Sequence, residues 1–306
     1  MLDVLFLLFV VSSAASAQAD FTITNTPAGP ALVGFGAEMN PYLYCSPNWG
    51  EVNEQNVKDL EQKVTDLSPQ HVRIMFLQHW FDGRADGVSK GDAKTADSFI
   101  RTCRLAQRAG ATINVTNWNG PWDEPEKQMA AFARTLEELV KKHQLSAIKY
   151  ITVQNEVNST KIPMEKYNLL YRTLDAEVKR RGLRERIKII SGDLVGENQQ
   201  AWFKNIGQNL AEVSDGYSIH VYWDYWDTAK LERRIGEVPG IVASLPAGQQ
   251  RPLYVTEFGV RGRRMEPRVE PGLHDDGTPI GLKPLTAMQL AWFQMEALNR
   301  GYVATV

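Results

Sequence analysis

Two short stretches of the sequence each have the pattern of a hydrophobic strand that ends in a glutamate. One runs from Val153 to Val157 and contains Glu156, and the other runs from Tyr254 to Gly259 and contains Glu257. A buried strand does not ordinarily end in glutamate, because burying an unpaired carboxylate is costly. Two such endings indicate a pair of carboxylates directed at one place. One carboxyl group could protonate a leaving oxygen while the other attacks carbon or activates water, which is the chemistry of glycoside hydrolysis.

The elements that would position these glutamates alternate along the chain between strand-like and helix-like patterns. Strands are predicted over residues 32–39, 71–76, 112–118, 148–157, 187–194, 216–223, 252–258 and 302–306. Helices are predicted over residues 53–67, 95–108, 124–143, 164–181, 200–213, 228–245 and 287–300, the sixth interrupted at Pro239. The helices repeat apolar residues at spacings of three and four, as at Phe132, Leu136, Leu139 and Val140, and several are followed by a glycine.

Seven strand–helix units and the start of an eighth predict an α/β protein of the (β/α)8 barrel type, truncated at the C-terminus within strand 8. We therefore expect the seam between strands eight and one to be incompletely closed, with Leu32 and Val33 losing part of their cover. The alternative is an open doubly wound sheet. It lacks the glycine fingerprint of a dinucleotide site, since Gly34 and Gly36 lie within the first strand and no third glycine follows.

Barrel enzymes place their active sites at the carboxyl ends of the strands, so the polar and aromatic residues at those ends are the candidates. In chain order they are Glu38, Asn40, Arg73, Gln78, His79, Asn117, Trp118, Asn119, Asn155, Glu156, Asp193, His220, Tyr222 and Glu257.

This set resembles glycoside hydrolase clan A, in which an Asn-Glu pair ends the fourth barrel strand and a glutamate ends the seventh. The resemblance is nearest to the cellulase-like family 5, with families 30 and 39 as other possibilities. It implies that Glu156 is the acid/base and Glu257 the nucleophile of a retaining, double-displacement mechanism. The clan's strand-two arginine corresponds to Arg73, and its strand-six His-x-Tyr motif to His220 and Tyr222.

The implied roles set physical requirements on the surroundings of the two glutamates. A nearby carboxylate would raise the pKa of the acid/base, because like charges disfavour joint ionisation. Arg73 and Tyr222 are the best donors to keep the nucleophile ionised, and Asn155 would donate to the sugar 2-hydroxyl. We expect the two carboxyl groups to lie about 5 Å apart. Structural alternatives are that Arg73 only anchors a carboxylate and that His220 is a core histidine.

Further substrate-binding candidates are Glu38, Trp118, Asn119 and Trp223. Six of the eight tryptophans fall at predicted strand ends or in the loops after them: Trp49, Trp80, Trp118, Trp122, Trp223 and Trp226. Their flat rings suit the apolar faces of sugars, and we expect about half of these six to face the cleft. Glu38 and Asp193 could instead cap helices.

Composition limits the number of domains and the kinds of partner that the chain can have. The chain has 306 residues, 43% hydrophobic content and a formal net charge of −2, which suits one large domain over residues 20–306 and argues against nucleic acid as a partner. Residues 1–19 have the apolar run and Ala-x-Ala pattern of a signal peptide, although a basic start is missing and a membrane-anchoring segment is the alternative. We expect a secreted monomer without stable membrane association after cleavage, with Cys45 and Cys103 as free thiols.

These observations together favour a secreted retaining hydrolase of β-linked polysaccharides or oligosaccharides, which needs no cofactor and no metal. A non-catalytic carbohydrate-binding barrel with an aromatic cleft is the second hypothesis. A metal-dependent barrel hydrolase is the third, but no His-x-His pair follows the first strand and the chain has only five histidines. His274-Asp275-Asp276, followed by Gly277, is better explained as a solvated turn than as a metal site.

Overall fold

The computed structural model describes residues 31–45, 53–82, 93–118, 122–196, 199–262, 273 and 276–306, together with the backbone of residues 264–265 and 268–269. Eight parallel strands close into a barrel in chain order: β1 (Gly34–Glu38), β2 (His71–Phe76), β3 (Thr112–Asn117), β4 (Ile148–Thr152), β5 (Lys188–Leu194), β6 (Gly216–Asp224), β7 (Leu253–Arg261) and β8 (Tyr302–Thr305). Helices follow the first seven strands: α1 (Glu54–Leu67), α2 (Ala93–Arg108), α3 (Pro125–Glu137), α4 (Met164–Arg180), α5 (Gln200–Leu210), α6 (Thr228–Ala243) and α7 (Pro284–Asn299). The predicted (β/α)8 barrel is confirmed.

The seam of the barrel is closed, so the expectation of an incomplete closure was wrong. Strand β8 pairs with β1, where Gly34 lies opposite Ala304, and with β7, where Tyr302 lies opposite Leu253. These pairings satisfy the backbone of the short strand, and every residue of β8 is buried. Of the two apolar residues expected to lose their cover, Leu32 is 55% exposed.

The core has two parts. A large cluster fills the space between the outer face of the strands and the helices, and the predicted stripe of α3 belongs to it through Phe132 and Leu136. A smaller cluster of strand residues near the amino ends of their strands contains Tyr150, Tyr254 and Val303. The carboxyl ends of the strands are thereby left for polar side chains.

Local sequence signals explain where two of the helices begin. Asn53 caps α1 and Asp227 caps α6, each accepting a hydrogen bond from a backbone N–H of the first turn. Helix α6 differs from the prediction, because it continues through Pro239. Packing explains this difference, since the face that includes Ile235 and Val238 is buried against the barrel and offsets the lost backbone hydrogen bond.

Outside the barrel strands, two short antiparallel strands, Arg264–Met265 and Arg268–Val269, form a hairpin after β7. In the part of the chain that the structure describes, no helix has the length and apolarity needed to span a bilayer. The predicted signal peptide lies outside the described residues, as do Trp49, Asn119, His274 and Asp275. Both cysteines are free thiols.

Candidate active site

Arg73 organises the carboxyl ends of the strands. It projects from β2, is completely buried, and donates through Nη1 to Glu257 Oε2 (2.7 Å) and to Glu38 Oε2 (3.1 Å). Through Nη2 it donates to Asp193 Oδ2 (2.9 Å) and to Asn155 Oδ1. One planar guanidinium therefore holds carboxylates from β1, β5 and β7 in a fixed arrangement.

Asp193 is the buried counterion of Arg73; the sequence placed it among the strand-end candidates but not among the predicted catalytic or substrate-binding residues. Its Oδ1 accepts hydrogen bonds from Ser218 Oγ (2.7 Å) and Thr256 Oγ1 (2.5 Å), and its backbone is left-handed at φ +51°. Burial alone would raise the pKa of Asp193, but the positive charges of Arg73 and His220 outweigh it and hold the pKa well below the usual range. Asp193 is therefore a permanent negative charge beneath the site.

Glu156 does not end a strand as predicted. Strand β4 ends at Thr152, and Glu156 lies in the following turn with a left-handed backbone at φ +46°. This unusual conformation for a residue other than glycine turns the side chain over the mouth of the barrel. There Glu156 Oε1 lies 3.2 Å from His220 Nδ1. The side chain remains 29% exposed, so a substrate can reach it.

Glu257 lies in the middle of β7, which continues three residues beyond its predicted end to Arg261. Its Oε1 accepts a hydrogen bond from the Tyr222 hydroxyl (2.5 Å), while its Oε2 accepts the bond from Arg73. Both carboxylate oxygens are thus supplied with donors, as expected from the sequence. Burial, together with the bond to Glu257, raises the pKa of Tyr222, so its hydroxyl stays protonated and can donate.

Glu156, His220 and Glu257 converge on one point. A carboxylate oxygen from each glutamate and a ring nitrogen of His220 all lie within 4.8 Å of one another. Three such groups could in principle hold a divalent cation. However, Arg73 and Tyr222 already donate to both oxygens of Glu257, and His220 faces Glu156, so the arrangement suits protons and a neutral ligand better than a metal ion.

The protonation of the site differs from the sequence expectation. The hydrogen bond with His220 lowers the pKa of Glu156, although burial opposes the shift. Burial favours neutral His220, but the carboxylates of Asp193 and Glu156 raise its pKa. The glutamate with a raised pKa is Glu38, because burial there exceeds the opposing effect of Arg73. The expectation that a second carboxylate raises the pKa of Glu156 was therefore wrong.

The tryptophans divide between core and surface. Trp223 was predicted to bind substrate, but its ring is completely buried and stacks on Phe293 with centroids 5.2 Å apart. Its Nε1 donates to Gln289 Oε1 (3.0 Å), so this residue joins β6 to α7 and does not face the cleft. In contrast, Trp118 follows β3 with 52% of its surface exposed at the mouth of the barrel.

A pocket of about 400 Å³ adjoins the glutamates at the ends of β1, β2 and β3. It is lined by Glu38, Asn40, Pro41, Tyr42, Met75, Leu77, Trp80 and Trp118. Glu38 connects the pocket to Arg73 and hence to Glu257. The site therefore consists of a charged centre and a mostly apolar hollow beside it.

No protein-family model matches the chain, and no curated protein is significantly similar to it. Solved structures are similar in fold. They include a family 51 α-L-arabinofuranosidase from Bifidobacterium longum (TM-score 0.58, 14% identity, 92% of this chain and 68% of that one). A family 5 mannosidase from Rhizomucor miehei has a TM-score of 0.56 and 11% identity, over 90% of this chain and 80% of that one. A trimodular GH5_4 subfamily endoglucanase has a TM-score of 0.60 and 12% identity, over 89% of this chain and 55% of that one. The resemblance to clan A glycoside hydrolases is confirmed, and at these identities it concerns the fold.

Proposed function

We propose that this protein hydrolyses β-glycosidic bonds in a polysaccharide or oligosaccharide with retention of configuration, with Glu257 as nucleophile and Glu156 as acid/base. The observation that carries the proposal is the separation of the two glutamates, whose carboxylate oxygens approach within 4.8 Å. Retaining enzymes hold their carboxyl groups about 5–5.5 Å apart, whereas inverting enzymes leave about 6.5–9.5 Å for a water molecule.

In the first step, an ionised Glu257 oxygen forms a bond to the anomeric carbon while the glycosidic C–O bond breaks. Arg73 and Tyr222, which donate to Glu257, fix the direction of attack and keep the carboxylate charged. Glu156 gives its proton to the departing oxygen. In the second step, Glu156 takes a proton from water, the resulting hydroxide attacks the same carbon, and Glu257 is released as a carboxylate.

The proton for the leaving group belongs to the Glu156–His220 pair as a unit. The pKa of Glu156 is lowered and that of His220 is raised, so the proton rests on the imidazole and is shared through the contact of 3.2 Å. Two groups this closely coupled titrate together, and the pair retains a proton at a pH where an isolated glutamate would not. This arrangement replaces the pair of repelling carboxylates in the more familiar form of the mechanism.

The similar solved structures support the chemical class. Those that carry the argument are described as an arabinofuranosidase, a mannosidase and an endoglucanase, all of which act on glycosidic bonds. We also propose export, because residues 1–19 have a signal-peptide pattern, and action as a monomer. N-terminal sequencing of protein recovered from the culture medium tests the first point, and light scattering tests the second.

The decisive experiment compares two leaving groups on two glutamate variants. Glu257→Gln should lower kcat by at least about a thousandfold on every substrate. Glu156→Ala should slow hydrolysis of the natural polymer strongly but spare aryl glycosides with activated leaving groups, since these do not need an acid. Added azide should then restore turnover of Glu156→Ala and yield a β-configured glycosyl azide.

Glu165→Gln, a change on the exposed surface of α4, serves as the matched control and should behave as the wild type. Proton NMR of the first-formed product gives the stereochemistry. An initial α-anomer from a β-linked substrate would contradict the retaining mechanism. Equal losses on activated and natural substrates for Glu156→Ala would contradict its assignment as the acid. Sugar binding without any hydrolysis would favour a non-catalytic binding barrel instead.

A further inference from the structure

We propose that the pocket at the ends of β1, β2 and β3 is a subsite for a second, neutral sugar ring on the glycone side of the scissile bond. The enzyme would then act on chains of at least two sugars in preference to single terminal residues. This inference rests on the proposed function and extends it to the class of substrate.

The size and surface of the pocket fit a sugar ring. Its volume of about 400 Å³ falls in the range of roughly 300–1,000 Å³ that is usual for small-molecule sites. Trp118 offers an exposed indole at its mouth, and Met75 and Leu77 add apolar surface. Flat aromatic and aliphatic surfaces match the C–H faces of a pyranose ring.

The pocket is also preorganised. The Tyr42 ring packs edge-to-face on the buried Trp80 with centroids 5.4 Å apart. The backbone N–H of Tyr42 donates to Asn40 Oδ1 (2.8 Å), which fixes the turn after β1. Aromatic walls that are held in place before binding lose little conformational entropy when a ligand arrives.

The position of Glu38 places the pocket on the glycone side. Glu38 lines the pocket and shares Arg73 Nη1 with Glu257, the nucleophile that stays bonded to the glycone. Glu156, which would protonate the departing group, lies across the site against His220 of β6. A sugar that extends from the anomeric centre toward Glu38 therefore remains with the enzyme when the leaving group departs.

The charges of the residues that line the pocket favour a neutral sugar over an acidic one. Glu38 is the charged residue among those that line the pocket, and its carboxyl group can bind sugar hydroxyls. Its partner Arg73 is completely buried, so the pocket presents no exposed cation to a ligand carboxylate within the described residues. A uronic acid would meet a carboxyl group without compensation, whereas a neutral hexose would not.

The test compares 4-nitrophenyl β-glucoside with 4-nitrophenyl β-cellobioside, and the corresponding mannose and galactose pairs, which share one leaving group. On the sugar that is accepted, the disaccharide should have a kcat/KM at least about tenfold higher than the monosaccharide. Trp118→Ala should remove most of this advantage, because it should lower kcat/KM for the disaccharide more than for the monosaccharide. Trp226→Ala, a change at another exposed tryptophan that does not line the pocket, should alter neither substrate and serves as the matched control.

The outcomes distinguish an error in the proposed subsite from an error in the proposed hydrolysis. Equal kcat/KM for mono- and disaccharide, or equal losses on both in Trp118→Ala, would overturn the subsite while leaving the proposed hydrolysis intact. A preference for a uronic acid disaccharide would overturn the assignment to neutral sugars. Hydrolysis of none of the substrates would overturn the proposed function, and the subsite with it. Near-ultraviolet circular dichroism on each variant confirms that the comparison is between folded proteins.

Discussion

Removing Arg73 should destabilise the protein mainly because it takes away the nearer of the two positive groups beside the buried charge of Asp193 and leaves the imidazole of His220, 3.6 Å away. The side chains of Arg73 and Asp193 are completely buried, and Arg73 Nη2 lies 2.9 Å from Asp193 Oδ2. Breaking a buried ion pair by removing one partner costs about 3–5 kcal/mol. Asp193 would keep the hydroxyl donors Ser218 and Thr256, which places the expected loss for Arg73→Met near the lower limit, at about 3 kcal/mol.

A double-mutant cycle isolates this effect. We expect Arg73→Met and Asp193→Asn each to lower the free energy of unfolding, and the double variant to lose about 2 kcal/mol less than the sum, because it removes the poorly balanced charge of Asp193. Urea unfolding at pH 7 measures all four proteins. Arg172→Met, a change at an exposed arginine on α4, should stay within about 0.5 kcal/mol of the wild type and controls for loss of a surface arginine.

In this double-mutant cycle, the second substitution should recover part of the stability that Arg73→Met loses, but it should not recover turnover. In the double variant Glu257 and Asn155 still lack the guanidinium that orients them, so turnover should remain at the level of Arg73→Met. Additive stability losses, within about 0.5 kcal/mol, would refute the argument that the buried charge of Asp193 dominates the cost. Full activity of the double variant would refute the role of Arg73 in positioning Glu257.

Two further predictions concern the barrel itself. Burial lowers the pKa of His71 to about 4, so the unfolded chain binds a proton first, and stability that is complete above about pH 6.5 should fall by up to about 3 kcal/mol as the pH drops to about 4. His71→Gln should lack this component when unfolding free energies of both proteins are compared at pH 7 and pH 4.5. Gly36→Ala should prevent folding, because its Cβ would lie 1.3 Å from the backbone oxygen of His71 across the β1–β2 pairing. Gly281→Ala, where an added Cβ meets nothing within 4 Å, should melt like the wild type in a thermal unfolding experiment.

The barrel and much of its site could be predicted from the sequence because their signals are local. Alternating strand and helix periods fix the order of the elements, and strand ends of a closed barrel meet at one rim whatever their exact lengths. Glu257 needed only its position on β7 to reach that rim. Arg73, Tyr222 and Asn155 followed for the same reason, and the structure brings all of these residues together around Glu257.

The features that escaped prediction depend on tertiary packing. Glu156 has a left-handed backbone, but the sequence has no glycine there to indicate a turn. The fourth strand was therefore predicted to extend to residue 157. Asp193 resembled a helix cap in sequence, since the partners that make it a buried counterion come from three other strands. Trp223 is an exception: it follows Tyr222 on β6, so strand alternation directs it away from the face of His220 and Tyr222 and toward α7, and its prediction as a substrate-binding residue overlooked this alternation.

The predicted protonation of Glu156 was the most consequential error, and strand register explains it. A shift in the β6–β7 pairing sets His220 opposite Glu257, which brings the imidazole to 3.2 Å from Glu156 and 3.7 Å from Glu257. His220 was predicted at this end of the barrel, but the sequence did not indicate that the carboxylates of Asp193 and Glu156 raise its pKa. The consequence can be measured in the pH dependence of kcat/KM.

With His220 present, the pair keeps its proton until the pH passes the raised pKa of the imidazole, so the alkaline limb should lie above the ordinary histidine value of about 6.5. His220→Gln leaves only the carboxyl group of Glu156 to hold the proton. Although losing the hydrogen bond raises the pKa of that carboxyl group, it remains a carboxyl group, whose ordinary pKa is near 4.5. The alkaline limb should therefore move to lower pH, and kcat at neutral pH should fall while substrates with activated leaving groups are spared. An alkaline limb that stays in place in His220→Gln would show that Glu156 carries its proton alone.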